Sequence, residues 1–357
     1  MKNRHYNPAK PHHRPDGFQN NYQPFDRKRL SELLRWRWNA WRGGLPKPPA
    51  RPLAVVPPDL AFIHSNAQAG LAMQPAATWI GHITVLCQIG GLNLLTDPVF
   101  SERCSPLQWA GPQRHNPPGL TLDQLPHIDV VLLSHNHYDH MDEASLRALA
   151  RQPGGAPLVL CPLGHHPLLT RWGHTRVIEL DWWDHHTLPA TERNACIEVT
   201  LTPAQHWSSR SMNDAMRSLW GGFAVLSPDC HLFFAGDTAY SPDFADIRRH
   251  FAHAHTPAHG DGFDLALLPI GAYEPRWFMQ AQHCNPEEAV KIFHDLGCKQ
   301  ALAVHWGTFQ LTDEALDEPP RALAQALHQH GLAPERFFTL ALGETRRLPR
   351  RSTPCPR

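Results

Sequence analysis

Several common features are missing from this chain of 357 residues. None of its eight cysteines is spaced Cys-x-x-Cys, and a chain this long needs no disulfides to close a core, so we expect reduced thiols. No apolar run approaches the roughly 18 residues of a membrane-spanning helix, and residues 1–25 lack the apolar segment of a secretory signal. Basic and acidic residues balance at 33 each, so no net charge attracts nucleic acid. We therefore expect a cytoplasmic protein that neither spans a membrane nor binds nucleic acid.

The chain is instead rich in His, Pro and Trp, with 26, 35 and 12 residues respectively. We expect one catalytic domain at residues 61–350. Residues 1–60 would hold a polar tail, a basic Trp-rich helix and a Pro-rich linker. Because the first 25 residues are polar, they cannot repay the entropy of ordering by core burial, so we expect a mobile tail.

Residues 26–42 read as an amphipathic helix, closed by a Gly-Gly pair. Its leucines and tryptophans recur at helical spacing, and Arg and Lys fill much of the remaining surface. Two interpretations stay open. The segment from Arg27 to Arg42 could lie on a membrane surface, giving peripheral contact with the cytoplasmic face, or its Trp face could pack on the protein's own core.

Short apolar segments with turns between them dominate the rest of the chain and indicate a layered α/β fold. The helices predicted from caps and spacing are residues 143–150, 286–296 and 320–330. The predicted strands are residues 80–89, 92–96, 130–133, 158–161, 177–180, 196–202, 222–226, 232–235, 265–269 and 301–305.

A His-x-His-x-Asp-His motif follows the apolar strand at residues 130–133. In an extended segment His135 and His137 point to the same side, so both imidazoles can reach one metal ion. Asp139 and His140, on the turn into a helix, can address a second ion. A metal site is the predicted function of this motif.

Three further metal-capable residues end strands elsewhere in the chain, at the loop-facing tips where functional groups collect. They are His206, Asp237 and His305. In this order, the whole series resembles that of the metallo-β-lactamase superfamily. The resemblance implies an αβ/βα four-layer sandwich and two zinc ions per chain. It places His135, His137 and His206 on one zinc and Asp139, His140 and His305 on the other, with Asp237 bridging both and Asp97 supporting a ligand.

Longer segments between residues 78 and 320, among them TWIGHITVL, FFAGDTAYSPDF, LLPIGAYEPRWFM and AVHWGTFQLTDE, are similar to a bacterial-type member of the N-acylphosphatidylethanolamine-hydrolysing phospholipase D family. This resemblance implies hydrolysis of that phospholipid substrate to N-acylethanolamine and phosphatidic acid by a metal-bridging hydroxide. The implied catalytic residues are Asp139, Asp237 and His283, the last beside the scissile phosphate.

The resemblance leaves two other functions open: hydrolysis of another phosphodiester or a lactone on the same fold, and zinc binding without catalysis. Residues 250–262 depart from the family pattern and form an apparent His-rich insertion. We expect His253 and His255 there to lie on a solvated loop, since no strand delivers them to the metal cluster.

Overall fold

Two seven-stranded sheets lie at the centre of the fold. The computed structural model describes residues 2–25, 28–46, 49, 53–211, 213–255 and 262–351. Within these residues the strands are β1 His13–Arg14, β2 Gly17–Phe18, β3 Ala76–Gly81, β4 Thr84–Ile89, β5 Leu92–Thr96, β6 Val130–Leu132, β7 Leu158–Pro162, β8 Val177–Leu180, β9 His185–Leu188, β10 Ile197–Thr202, β11 Gly222–Ser227, β12 Cys230–Phe234, β13 Leu265–Pro269, β14 Gln300–Val304, β15 Phe337–Phe338 and β16 Thr345–Arg347. The α-helices are α1 Leu30–Gly43, α2 Leu60–Gln68, α3 Glu143–Leu149, α4 His166–Arg171, α5 Asp243–His250, α6 Arg276–Met279, α7 Pro286–Leu296 and α8 Glu318–Gln329.

The first sheet has the strand order β16-β3-β4-β5-β6-β7-β8, and the second has the order β15-β14-β13-β12-β11-β10-β9. Pairing is parallel from β5 to β8 and from β12 to β15, and antiparallel elsewhere in both sheets. The parallel strands therefore deliver their carboxyl ends to one edge of each sheet.

Alternating side chains divide the core into layers. On β6, Val130 and Leu132 face the second sheet, whereas Val131 faces the cluster that contains Leu146 of α3 and Ile63 of α2. Residues of α5, α7 and α8 cover the other face of the second sheet. The order of layers is helices, sheet, sheet, helices, and the predicted four-layer α/β sandwich is confirmed.

One predicted strand, residues 80–89, contains the turn between β3 and β4. Gly81 has a φ of 141° and His82 a φ of 52°, so the chain reverses between β3 and β4. Apolar residues on both sides of this turn are buried, and the hydrophobic pattern therefore continues through it without a break. Periodicity alone misses such a turn.

The prediction of a mobile N-terminal tail is wrong, because residues 2–25 pack on the domain. Asp181 accepts hydrogen bonds from His12 Nε2 at 2.7 Å, His13 Nε2 at 2.8 Å and Lys10 Nζ at 2.6 Å. Phe18, which is 1% exposed, enters the main core. The polar composition suggested a mobile tail, but hydrogen bonds to the buried Asp181 carboxylate hold the segment in place. The buried Phe18 ring also contributes.

The basic helix exists as α1, but its apolar face does not pack on the core. Trp38 is 57% exposed and Trp41 is 74% exposed, so that interpretation is wrong. Trp36 instead attaches the helix, since its Nε1 donates to Asp313 Oδ1 at 2.9 Å and its ring lies 4.8 Å from that of Phe278. Arg27, where the predicted basic segment begins, lies outside the described residues. In the described part of the chain no helix is both long and apolar enough to cross a bilayer.

The His-rich insertion is only partly solvated. After α5 the chain makes a short 3₁₀ turn at Phe251–His253, and His255 is buried beside Phe263, with ring centroids 4.7 Å apart. The solvated-loop prediction is therefore wrong for His255. Residues 256–261 of the insertion lie outside the described residues.

Candidate metal centre

The candidate ligands share a position in the fold, just beyond the carboxyl ends of strands. His135 follows β6, Asp237 follows β12 and His305 follows β14, while His206 follows the antiparallel β10. The two sheets bring these ends together at one edge of the sandwich. The structure thus places all seven predicted ligands in one cluster, and their role as metal ligands stays a prediction.

The first group contains three imidazoles and one carboxylate. His137 Nδ1 lies 2.8 Å from His135 Nε2 and 3.3 Å from His206 Nε2. Asp237 Oδ2 lies 3.9 Å from the Nε2 atoms of both His135 and His206. These four side chains enclose a space in which a single cation could contact every donor atom.

The second group shares the Asp237 carboxylate with the first. His140 Nε2 lies 3.0 Å from Asp237 Oδ2, and His305 Nε2 lies 3.2 Å from Asp237 Oδ1. Asp139 Oδ2 lies 3.4 Å from His140 Nε2 and 3.2 Å from His305 Nε2. Asp237 therefore faces both groups, which is the placement expected of a bridging ligand.

The two groups differ in the charge that they require. Burial lowers the pKa of His137 to about 3 and that of His206 to about 4, so these rings are neutral near pH 7. Burial also opposes a charge on His305, but Asp237 and Asp139 outweigh it and raise the pKa of that ring to about 9. The second group thus needs positive charge beside its carboxylates, which a proton or a metal cation can provide.

The residues present fit a pair of divalent metal ions. Within the described residues, the buried atoms His140 Nε2 and Asp237 Oδ1 form no hydrogen bond, although each lies within 3.2 Å of an oppositely charged or polar group of the cluster. Orphaned buried polar atoms are costly unless something binds them. Imidazole nitrogens combined with carboxylate oxygens suit zinc and iron, among other transition metals.

Neighbouring groups hold the ligand rings in place. Asp97 Oδ2 lies 2.7 Å from His140 Nδ1, so the carboxylate predicted to support a ligand contacts one. The Gln282 carbonyl lies 2.8 Å from His206 Nδ1, and Asn20 Oδ1 accepts from the His206 backbone N–H at 3.2 Å. Such partners fix the orientation of an imidazole and direct its second nitrogen to the metal.

Sequence reasoning missed two residues of this centre, His82 and Asn20. His82 Nε2 lies 3.1 Å from Asp139 Oδ2, and His82 belongs to one of the metal-capable groups. Its signal in the sequence was the Gly-His pair inside an apolar run, which marks a turn. Asn20 carried no such signal, because it lies in a segment that was expected to be mobile.

A groove of about 700 Å³ opens over the metal centre. Its floor includes His137, Asp139, Asp237 and His283. His283, predicted to be catalytic, is buried beside the cluster, with Nδ1 3.9 Å from Asp237 Oδ2, and its catalytic role stays a prediction. The walls are largely apolar and include Phe25, Leu33, Trp36, Phe278, Met279 and Leu311.

Comparisons with known proteins identify the family of this chain. Residues 92–306 match the family model described as a beta-lactamase superfamily domain. The N-acyl-phosphatidylethanolamine-hydrolyzing phospholipase D 1 of Caenorhabditis elegans is 34% identical over 280 residues, which cover 75% of this chain and 74% of the relative. A metal-dependent hydrolase of Nitratidesulfovibrio vulgaris is 28% identical over 79% of this chain and 99% of its own.

A solved structure, isothiocyanate hydrolase from Delia radicum gut bacteria, covers 77% of this chain and 99% of its own with a TM-score of 0.58. At 18% identity this likeness concerns the fold alone. The fold and site define a metal-dependent hydrolase of the metallo-β-lactamase fold. The chain belongs to the metallo-β-lactamase superfamily and, within it, to the family that contains the Caenorhabditis elegans phospholipase.

Proposed function

We propose that this protein is a dinuclear zinc phosphodiesterase of phospholipase D type, which hydrolyses N-acylphosphatidylethanolamine to N-acylethanolamine and phosphatidic acid. The observation that carries the proposal is the groove, which joins apolar walls to a floor of metal-capable side chains. A phospholipid has a matching distribution of polarity, since its acyl chains are apolar and its phosphodiester is an anion. The name of the Caenorhabditis elegans relative supports the same substrate class.

The polarity of the groove sets the orientation of the substrate. Asp139, Asp237 and His283 lie at the floor, so the phosphodiester would reach that end. Phe278 and Met279 on one wall and Leu33 of α1 would contact the acyl chains. Burying apolar chains against these side chains is worth roughly 0.8 kcal/mol for each CH₂ group, which holds the phosphate against the floor.

The two ions would polarise phosphoryl oxygens and lower the pKa of a bound water to near neutrality. Hydrolysis breaks the bond between phosphorus and the N-acylethanolamine oxygen, while water supplies hydroxyl to phosphorus and a proton to the departing alkoxide. His283, whose Nδ1 lies 3.9 Å from Asp237 Oδ2, would hydrogen-bond a phosphate oxygen or pass that proton to the leaving group. Asp237, whose carboxylate faces both groups, would hold both ions.

The test is mass-spectrometric analysis of products after the zinc-loaded protein meets N-acylphosphatidylethanolamine. We expect phosphatidic acid and N-acylethanolamine from the native chain and neither product from Asp237→Asn. His283→Ala should lower turnover about 10²-fold or more while the zinc content stays near two per chain. Equal losses of turnover and zinc would contradict the role of His283. If two zinc ions are bound but neither product forms, the proposed substrate is wrong, and hydrolysis of another phosphodiester or a lactone becomes the alternative.

We further propose that the exposed apolar face of helix α1 contacts a phospholipid surface. Leu30, Leu34, Trp38 and Trp41 recur at helical spacing and are all exposed. Leu33 and Trp36, on another side of the helix, line the groove, so α1 carries a groove-lining side and a separate exposed apolar face. Apolar side chains with tryptophan, flanked by arginine, suit an anionic lipid interface.

The membrane proposal is tested with anionic phospholipid vesicles. Trp38→Ala combined with Trp41→Ala should lower sedimentation with vesicles at least about tenfold, because about 1.4 kcal/mol of lost burial already gives that factor. Leu71→Ala, which changes an apolar residue that is 55% exposed on another element, is the control. Hydrolysis of a dispersed short-chain substrate should not change. If the double variant sediments like the native chain, the proposed membrane contact is contradicted, whereas the proposed reaction is not.

A further inference from the structure

His82 occupies a rigid position beside the second group of candidate ligands. It lies in the turn between β3 and β4, and its side chain is 1% exposed. Its backbone N–H donates to Thr308 Oγ1 at 2.8 Å, and its carbonyl accepts from the backbone N–H of His305 at 2.9 Å. The turn is thereby tied to the chain that carries a candidate ligand, and His82 cannot move independently of it.

The ring of His82 is held as firmly as its backbone. It lies against the ring of His305, with centroids 4.1 Å apart, and meets the edge of Phe309 at 5.2 Å. This packing directs Nε2 toward Asp139 Oδ2, which is 3.1 Å away. The residue adopts a positive φ of 52°, a backbone conformation that costs energy for any residue except glycine, so the surrounding contacts impose the position.

We infer that His82 is a positioning residue that donates a hydrogen bond to Asp139 and fixes its carboxylate for the metal shared with His140 and His305. Of the two carboxylates in the centre, His82 pairs with that of Asp139. A carboxylate that binds a metal is itself commonly hydrogen-bonded, and loss of such a partner typically costs 10–100-fold in metal affinity. This inference rests on metal binding at the proposed centre and is independent of the proposed substrate.

Two substitutions separate positioning from direct ligation. His82→Gln keeps an N–H donor at the reach of Nε2, whereas His82→Leu removes it, and both carry the same backbone cost. Competition with a chelator should show that His82→Leu weakens the second zinc about 10–100-fold, while His82→Gln stays within about threefold of the native chain. The first zinc, held by His135, His137 and His206, should be retained in both and reports that the variants fold.

Equal weakening in both variants would mean that His82 is itself a ligand, and no weakening in either would mean that it is merely packed; each result overturns the inference. A measurement on the native chain covers the case in which a variant fails to fold. With ¹¹³Cd in the centre, the ring nitrogens of the ligands should show direct coupling to the metal. His82 Nε2 should show a slowly exchanging proton and no such coupling, and a coupling there would overturn the inference.

Discussion

Asn20 is expected to stabilise the metal centre from within the N-terminal segment. Its side chain is 6% exposed, and its Oδ1 accepts from the His206 backbone N–H at 3.2 Å and from Trp220 Nε1 at 3.1 Å. Trp220 Nε1 also donates to the Ala204 carbonyl at 2.9 Å, so that donor keeps a partner when Asn20 is removed. The His206 N–H would be left buried and unpaired.

The size of the effect follows from that single orphaned donor. Asn20→Ala should lower the free energy of unfolding by about 1–3 kcal/mol, which is the cost of one buried donor without a partner. Because His206 is a candidate ligand, affinity for the metal that it shares with His135 and His137 should also fall, by roughly tenfold. Urea unfolding and chelator competition on the zinc-loaded protein measure the two quantities.

Gln19→Ala is the matched control, since it removes an amide from the neighbouring position. Among the described residues the Gln19 side chain bonds to Pro11 and Arg14 at the surface and to no others, so its loss should change the free energy of unfolding by no more than about 0.5 kcal/mol. Hydrogen exchange at the His206 amide should be faster in the Asn20 variant and unchanged in the control. If the two variants behave alike in all three measurements, the N-terminal segment does not support the centre.

Two further predictions concern carboxylates that accept several hydrogen bonds. Burial opposes the charge on Asp181, but hydrogen bonds from His12 and Lys10 hold its pKa well below the ordinary value. The stabilisation of the folded state by Asp181 is therefore complete above the unfolded pKa of about 3.9, and it is lost as the pH falls below that value. Hydrogen exchange in residues 2–25 should accelerate only below about pH 4, and in Asp181→Asn it should already be fast at pH 7; slow exchange in the variant would contradict this. Glu314 accepts from the backbone N–H groups of Ala272 and Glu274, at 2.6 and 3.0 Å. Glu314→Ala should cost about 2–4 kcal/mol by urea unfolding with both zinc ions retained, and loss of zinc would show that it supports the centre instead.

The clustering of the candidate ligands could be predicted because each of them follows a strand or belongs to one short motif. The spacing of the residues from His135 to His140 can be read directly from the sequence. Parallel strands bring their carboxyl ends to one edge of a sheet. His206, Asp237 and His305 each follow an apolar run, so their meeting required only that the strands share that edge. Local patterns were sufficient there.

Long-range polar contacts are what local patterns cannot supply. The bonds of Asp181 to Lys10 and His12 join residues about 170 positions apart, and the polar composition of the N-terminal segment gives no sign of them. The role of His82 depends on where the β3–β4 turn falls relative to Asp139, 57 positions later. Both cases require knowledge of which distant strands become neighbours.

The N-terminal segment also contacts both the groove and the candidate metal centre. Gln205 Nε2 donates to the Gln23 carbonyl at 2.9 Å, and Phe25 stacks on Trp207 with ring centroids 5.1 Å apart. Trp207 in turn packs at 4.6 Å against the candidate ligand His137. Phe25 is thus both a wall of the groove and an outer contact of the first metal group. A relative that kept every candidate ligand but differed in this segment would present a different groove over the same side chains. We therefore expect the N-terminal segment to influence which substrate enters the groove.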